Sequence, residues 1–255
     1  MPFRNIRPLH ILWQENIDKK MLSGVFLGIV RVLLLAGVFK EFRLKHLNQQ
    51  RRPNWRDQYG ALNPYQSLDW HITLADFHSK KAGSLNSLLL LDTIQLDYLL
   101  NNPTYETESE YRLIVINEQL YSNDTALRTI YGIGRQGQGS IITIGQYLHL
   151  LQPIDGENEE DTKKRRVDFH LSTQMITMHE LGHVFGLFLG TGKEDPTDEE
   201  RKEAHCLNEC VMWWQYNNEL YKKIVDRPFC PSCLEKLKNY FLEPPTIIID
   251  VDGSL

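Results

Sequence analysis

Residues 179–183 read His-Glu-Leu-Gly-His, and this pentapeptide decides how the rest of the chain is read. On a helix, residues four apart sit one turn above each other, so the imidazoles of His179 and His183 leave the same face and can hold one metal ion. Glu180 is rotated onto a neighbouring face, from which its carboxylate reaches a metal-bound water without being a ligand. The pattern is that of a zinc hydrolase with two ligands in hand. Gly186 lies three residues beyond His183, where a helix can end and the chain turn back toward the metal. A third ligand three residues after that glycine would be Leu189, which cannot bind metal.

The chain carries four cysteines, Cys206, Cys210, Cys230 and Cys233, all within its last fifty residues. Two short-spaced pairs in a chain of this length read as a metal site in a reducing compartment, not as a disulfide scaffold. His205 directly precedes the first cysteine, and seventeen residues separate Met212 from the Cys-Pro-Ser-Cys of 230–233.

In this order and spacing, the segment from about 170 to 240 resembles the archaemetzincins, a family of zinc-dependent peptidase-like proteins. Their pattern is HExxHxxGxxHC, four residues, CxM, seventeen residues and CxxC. The resemblance implies that His179, His183 and His205 hold a catalytic zinc and that Glu180 is the general base. It implies a second, structural zinc on Cys206, Cys210, Cys230 and Cys233, and a turn under the catalytic metal that carries Met212. It also implies that an extended peptide pairs with an edge strand above the active-site helix, for which residues 140–147 are the candidate. Two spacings depart from the family. Eighteen residues separate Gly186 from His205 where the family has two, and three separate Cys206 from Cys210 where it has four. A helical excursion whose ends lie close together can still return His205 to the metal. The alternative third ligand is a carboxylate of the insertion, from Asp195, Asp198, Glu199 or Glu203. Residues 187–204 lie where they can act as a lid.

His170 precedes His179 by nine residues, about half a turn out of phase, and reads as a non-ligand. His10, His46, His71, His78 and His149 have no partner pattern. A net charge of −5 and the lack of a basic block give no reason to expect nucleic acid. Residues 21–39 are apolar enough to raise a membrane anchor, but Arg31 near the middle would cost a span about 2.5–3.5 kcal/mol. Lys20, Ser23, Gly24, Gly28 and Arg31 recur at helical spacing, the pattern of a buried helix with one edge in water. There is no cleavage site of the secretory kind, so a cytoplasmic protein is expected.

The remaining pattern predicts a strand at Leu9–Trp13 and a helix from an Asp18 cap to about Leu44. It predicts a loop at 48–66, a strand at 68–75, a helix over 84–101 and a buried strand at 112–117. The glycines of 132–139 precede a strand at 140–147, so they read as a hairpin or loop and not as a phosphate cradle. Residues 155–166 read as a charged loop, 168–189 as the helix with HELGH, and Asp195-Pro196 as a further helix start. The expected fold is α/β (α+β): one metzincin-like domain over 1–255 with a mixed twisted sheet. Its N-terminal part would be about 1–186, its zinc-bearing C-terminal part about 187–243 and its tail 244–255. The expected activity is a two-zinc peptidase, acting as a monomer on a peptide or protein substrate. The other classes are a catalytically inactive zinc-binding interaction module and a membrane-anchored protein built on residues 21–39.

Overall fold

Leu9–Trp13 (LHILW) is buried at every position and forms β1, an internal strand of the molecule's larger sheet. A computed structural model of the chain describes residues 6–7, 9–14, 16–42, 44–48, 68–101, 111–122, 128–188, 197–213 and 218–242. β1 is paired in parallel on both sides, with β2 (Leu44–Asn48) and β4 (Tyr111–Ile116). β4 pairs in parallel with β8 (Gly139–Thr143), and β8 pairs antiparallel with β7 (Gly132–Arg135). The order is therefore β2-β1-β4-β8-β7. A second sheet joins β3 (Ser84–Asn86), β5 (Gln119–Tyr121) and β6 (Thr129–Ile130).

Alternate residues of the central strands feed two hydrophobic clusters, one on each face. Leu9, Ile11, Trp13, Tyr111, Leu113 and Val115 pack with α1 (Ser23–Ala36) and α4 (Glu159–Val184). Leu12, Ile114, Ile116 and Ile141 pack with α2 (Leu68–Phe77) and α3 (Ser87–Asn101). Coverage on both faces explains why these strands read as unbroken apolar runs. The first cluster continues through Leu220 and Tyr221 of α6 (Asn218–Ile224) to Leu237 and Phe241 of α7 (Pro231–Leu242). A short helix, α5 (Asp198–Glu203), is held by a capping box between Thr197 and Glu200.

Several expectations need correction. The first helix ends at Ala36, not Leu44, because Gly37 takes a left-handed conformation (φ 79°) and its N–H bonds back to Leu33 and Leu34. Leu44–Asn48 then leaves as β2. In the stripe expected to face water, Lys20 and Ser23 are exposed, but Gly24 and Gly28 are buried. A Cβ at Gly24 would lie 2.1 Å from Thr173 Oγ1, and one at Gly28 2.7 Å from the Gln174 carbonyl, so both glycines let α1 lie against α4. Ser23 at the helix start stays exposed, as do Leu27 and Leu34. Residues 68–77 are helical, not a strand. The charged stretch at 155–166 is largely the first turns of α4, capped by Asn158 with Glu159, Glu160 and Asp161 in the first turn, where the helix dipole favours acids.

Strand β8 is internal, so 140–147 is not the sheet's edge; its chain leaves the sheet after Thr143 and runs as a 3-10 helix over Gly145–Leu151. The edge on that side is β7, whose glycines belong to the hairpin. The loop expected at 48–66 lies, apart from Asn48, outside the described residues, as do Asp195-Pro196 and the tail 244–255. Among the described residues no helix is long and apolar enough to cross a membrane.

Candidate metal centre

The last turns of α4 carry Met178-His179-Glu180-Leu181-Gly182-His183, with His179 and Glu180 each 2% exposed. The helix stops just after His183. Gly186 takes φ 82°, and the N–H of Leu187 bonds the Gly182 carbonyl, turning the chain under the last turn. Phe188 has φ 56°, a left-handed conformation that costs a non-glycine residue about 1–3 kcal/mol. This turn brings the Leu187 and Phe188 carbonyls, both at 2.9 Å, to His183 Nδ1. His179 Nδ1 meets the Val211 carbonyl at 2.7 Å. Each Nδ1 faces only carbonyl oxygen and so carries the proton and donates it, leaving Nε2 with its lone pair. The two Nε2 atoms stand 3.1 Å apart.

His205 completes the cluster across the inserted residues. One ring nitrogen from each of His179, His183 and His205 lies within 4.8 Å of the other two. The His205 ring stands 5.3 Å from that of His179 and 5.1 Å from that of His183, centre to centre. Burial first, and then the neighbouring imidazoles, hold His179 well below the ordinary histidine range. Burial, then His205, lower His183 to about 4. Three imidazoles that bring a ring nitrogen each to one point are a donor set that fits zinc. Among the described residues, no carboxylate of the insertion belongs to this group. His170 is no part of it, since its Nδ1 meets Ser23 Oγ at 2.9 Å.

Glu180 stands directly beneath β7. A Cβ on Gly132 would lie 2.7 Å from Glu180 Cγ, and one on Gly134 2.8 Å from His183 Cβ. Only bare backbone fits between the edge strand and the HELGH turn. Met212 occupies the other side, where a Cβ on Gly182 would lie 2.4 Å from its sulfur. Two buried tyrosines that motif reading does not single out, Tyr147 and Tyr221, feel the charge of Glu180. Burial, then the Tyr131 and Glu180 charges, push the Tyr147 hydroxyl well above its ordinary value. Burial, then Tyr147, Glu180 and Tyr131, do the same for Tyr221. Both hydroxyls therefore stay protonated. They come from separate elements with no common spacing, so nothing in the sequence links them.

The four cysteines form a second cluster, with all sulfurs within 4.8 Å of one another. Cys206 lies 3.7 Å from Cys230, and Cys210 3.9 Å from Cys233. None is in a disulfide. The contact with Cys233 holds the Cys210 thiol down at about 5, and the same contact raises Cys233. Burial raises Cys206 to about 11. Without a cation the four thiols cannot all ionise together; with one they form a closed tetrahedral donor set.

No family profile and no curated protein matches this sequence. Among solved structures the chain is similar to an archaemetzincin from Methanopyrus kandleri. The match has 20% identity and a TM-score of 0.52, and covers 94% of this chain and 97% of that one. The likeness is one of fold: the chain has an archaemetzincin-like architecture.

Proposed function

We propose that this protein is a zinc-dependent peptidase of the archaemetzincin type. The observation that carries the reading is the meeting of His179, His183 and His205 through their ring nitrogens beside the buried carboxylate-bearing residue Glu180. The three imidazoles would hold the catalytic zinc and the four cysteines a structural one. A zinc ion bound by three neutral imidazoles keeps one position open, acidifies water there toward neutrality and polarises a carbonyl.

The chain's own residues supply the rest. Glu180 accepts a proton from the attacking water and returns it to the leaving amine nitrogen. The Val211, Leu187 and Phe188 carbonyls keep two of the imidazoles in the required tautomer and orientation. The substrate is a peptide or protein in extended form, laid along β7, whose outer backbone groups are not used by β8. Reduced thiols at the cysteine cluster suit a cytoplasmic setting.

The test is Glu180→Gln. Purified from the same host as the unaltered chain, it keeps two zinc ions per chain and loses peptide hydrolysis by about 10²–10⁴-fold. Turnover retained in that variant would sink the mechanism. A native chain holding one zinc on its cysteines, with no hydrolysis of a peptide library, would instead make it an interaction module.

A further inference from the structure

The two clusters share one short piece of chain, residues 205–213. It has no regular ladder of its own, and its shape is set by ties to its surroundings. His205 belongs to the histidine cluster, and Cys206, the next residue, to the cysteine cluster. The Cys206 N–H bonds the Met212 carbonyl at 2.9 Å, and the Trp213 N–H bonds the Cys210 carbonyl at 3.0 Å, closing the segment into a loop. The Val211 N–H bonds the Pro228 carbonyl at 2.6 Å, tying it to the chain that leads into Cys230.

Two further groups on this loop face α4. The Val211 carbonyl accepts from His179 Nδ1 at 2.7 Å, and the Met212 sulfur lies against Gly182 between the two helix histidines. One loop thus delivers a ring nitrogen, the carbonyl that orients a second histidine and the floor under the helix turn. Its remaining anchor is the pair Cys206 and Cys210, facing Cys230 and Cys233 at the start of α7.

We propose that the metal held by the four cysteines is a positioning element for the histidine centre, so that the two sites bind metal cooperatively. A cation joining Cys206 and Cys210 to Cys230 and Cys233 fixes the loop to α7. It thereby removes the ordering cost that the histidine centre would otherwise bear when it takes its own ion. Linkage makes the effect reciprocal, with the same factor in both directions. The inference rests on the peptidase reading insofar as both clusters hold metal, and its test separates the two.

The measurement is Zn²⁺ affinity at each site of the full chain, by competition with a chromophoric chelator, with Co²⁺ absorption distinguishing thiolate from imidazole ligation. In Cys230→Ala/Cys233→Ala the loop sequence is untouched, yet affinity at the histidine centre falls about 5- to 150-fold. Cys230→His/Cys233→His, which keeps four donors, restores it. In His179→Ala/His183→Ala the cysteine site weakens by the same factor, an arm that stands even if the cysteine variant does not fold. Leu90→Ala, in the core on the far side of the sheet, lowers stability and leaves histidine-site affinity unchanged.

Unchanged affinity at the histidine centre in the cysteine variant overturns the proposal and leaves the peptidase reading standing. An equal loss in Leu90→Ala also overturns it, because the effect would then be general destabilisation. A native chain whose histidines take no Zn²⁺ overturns both.

Discussion

Gly132 shows how closely the candidate site is drawn. It sits on the edge strand with its missing side chain aimed at Glu180, and an added Cβ would also lie 2.8 Å from the Ile141 carbonyl. The strand carbonyl cannot give way, so Glu180 must. Gly132→Ala is expected to retain both metal ions and lose about 10²-fold in kcat, the scale that follows a displacement near 1 Å. KM should change little, and the check is steady-state kinetics beside metal analysis. Gly137 has φ 71° with open space around it, so Gly137→Ala strains the hairpin turn and leaves the chemistry alone. At this scale the residues that meet in the two clusters were legible and their surroundings were not. The i, i+4 spacing of His179 and His183 is local, and His205 is marked by the cysteine that follows it. Gly132, Tyr147 and Tyr221 reach Glu180 only through tertiary packing, which leaves no periodic trace.

Two helices illustrate what periodicity can and cannot say. A face of small residues has the same pattern whether it meets water or another helix. Gly24 and Gly28 therefore read as a wet edge, and only the packing against Thr173 and Thr177 shows a helix seam. Gly28→Leu would drive a side chain into the Gln174 carbonyl. A loss of about 1–3 kcal/mol or more is expected in urea unfolding. The start of α4 was hidden by its charge, although its acids precede its bases in the order a helix favours. Arg165 folds back there onto Glu157 and onto the Leu150 and Gln152 carbonyls, at 2.7 and 2.8 Å. The hydrogen bonds from Arg165, then that from Thr162, hold the Glu157 carboxyl down from 4.5 to about 2. Its contribution is thus whole above pH 4.5 and disappears as pH falls toward 2. An acid titration followed by circular dichroism should show this loss in the native chain, and Glu157→Gln should lack that component.

At the scale of the whole molecule, the C-terminal part is held by apolar packing and, on the proposed reading, by metal on its four cysteines. Phe241 and Leu237 of α7 are fully buried against Phe42, Tyr111 and Phe185 of the main cluster. The loop at 205–213 has no comparable ladder or helix. Metal bound only by the folded form stabilises by mass action, about 4.1 kcal/mol at a thousand times Kd. A strong chelator at neutral pH should therefore lower Tm by several degrees and expose all four thiols to a colorimetric reagent, while α1 and α4 keep their helical signal until the main transition. The order β2-β1-β4-β8-β7 has a further effect, on how the chain comes into being. Leu9–Trp13 is translated roughly a hundred residues before the strand that pairs with its second side, and such distant parallel pairing is slow. Until Tyr111–Ile116 emerges from the ribosome, the nascent polypeptide carries an apolar ribbon with an open hydrogen-bonding side. Yield in a heterologous host should thus respond to chaperone supply and growth temperature more than to zinc in the medium.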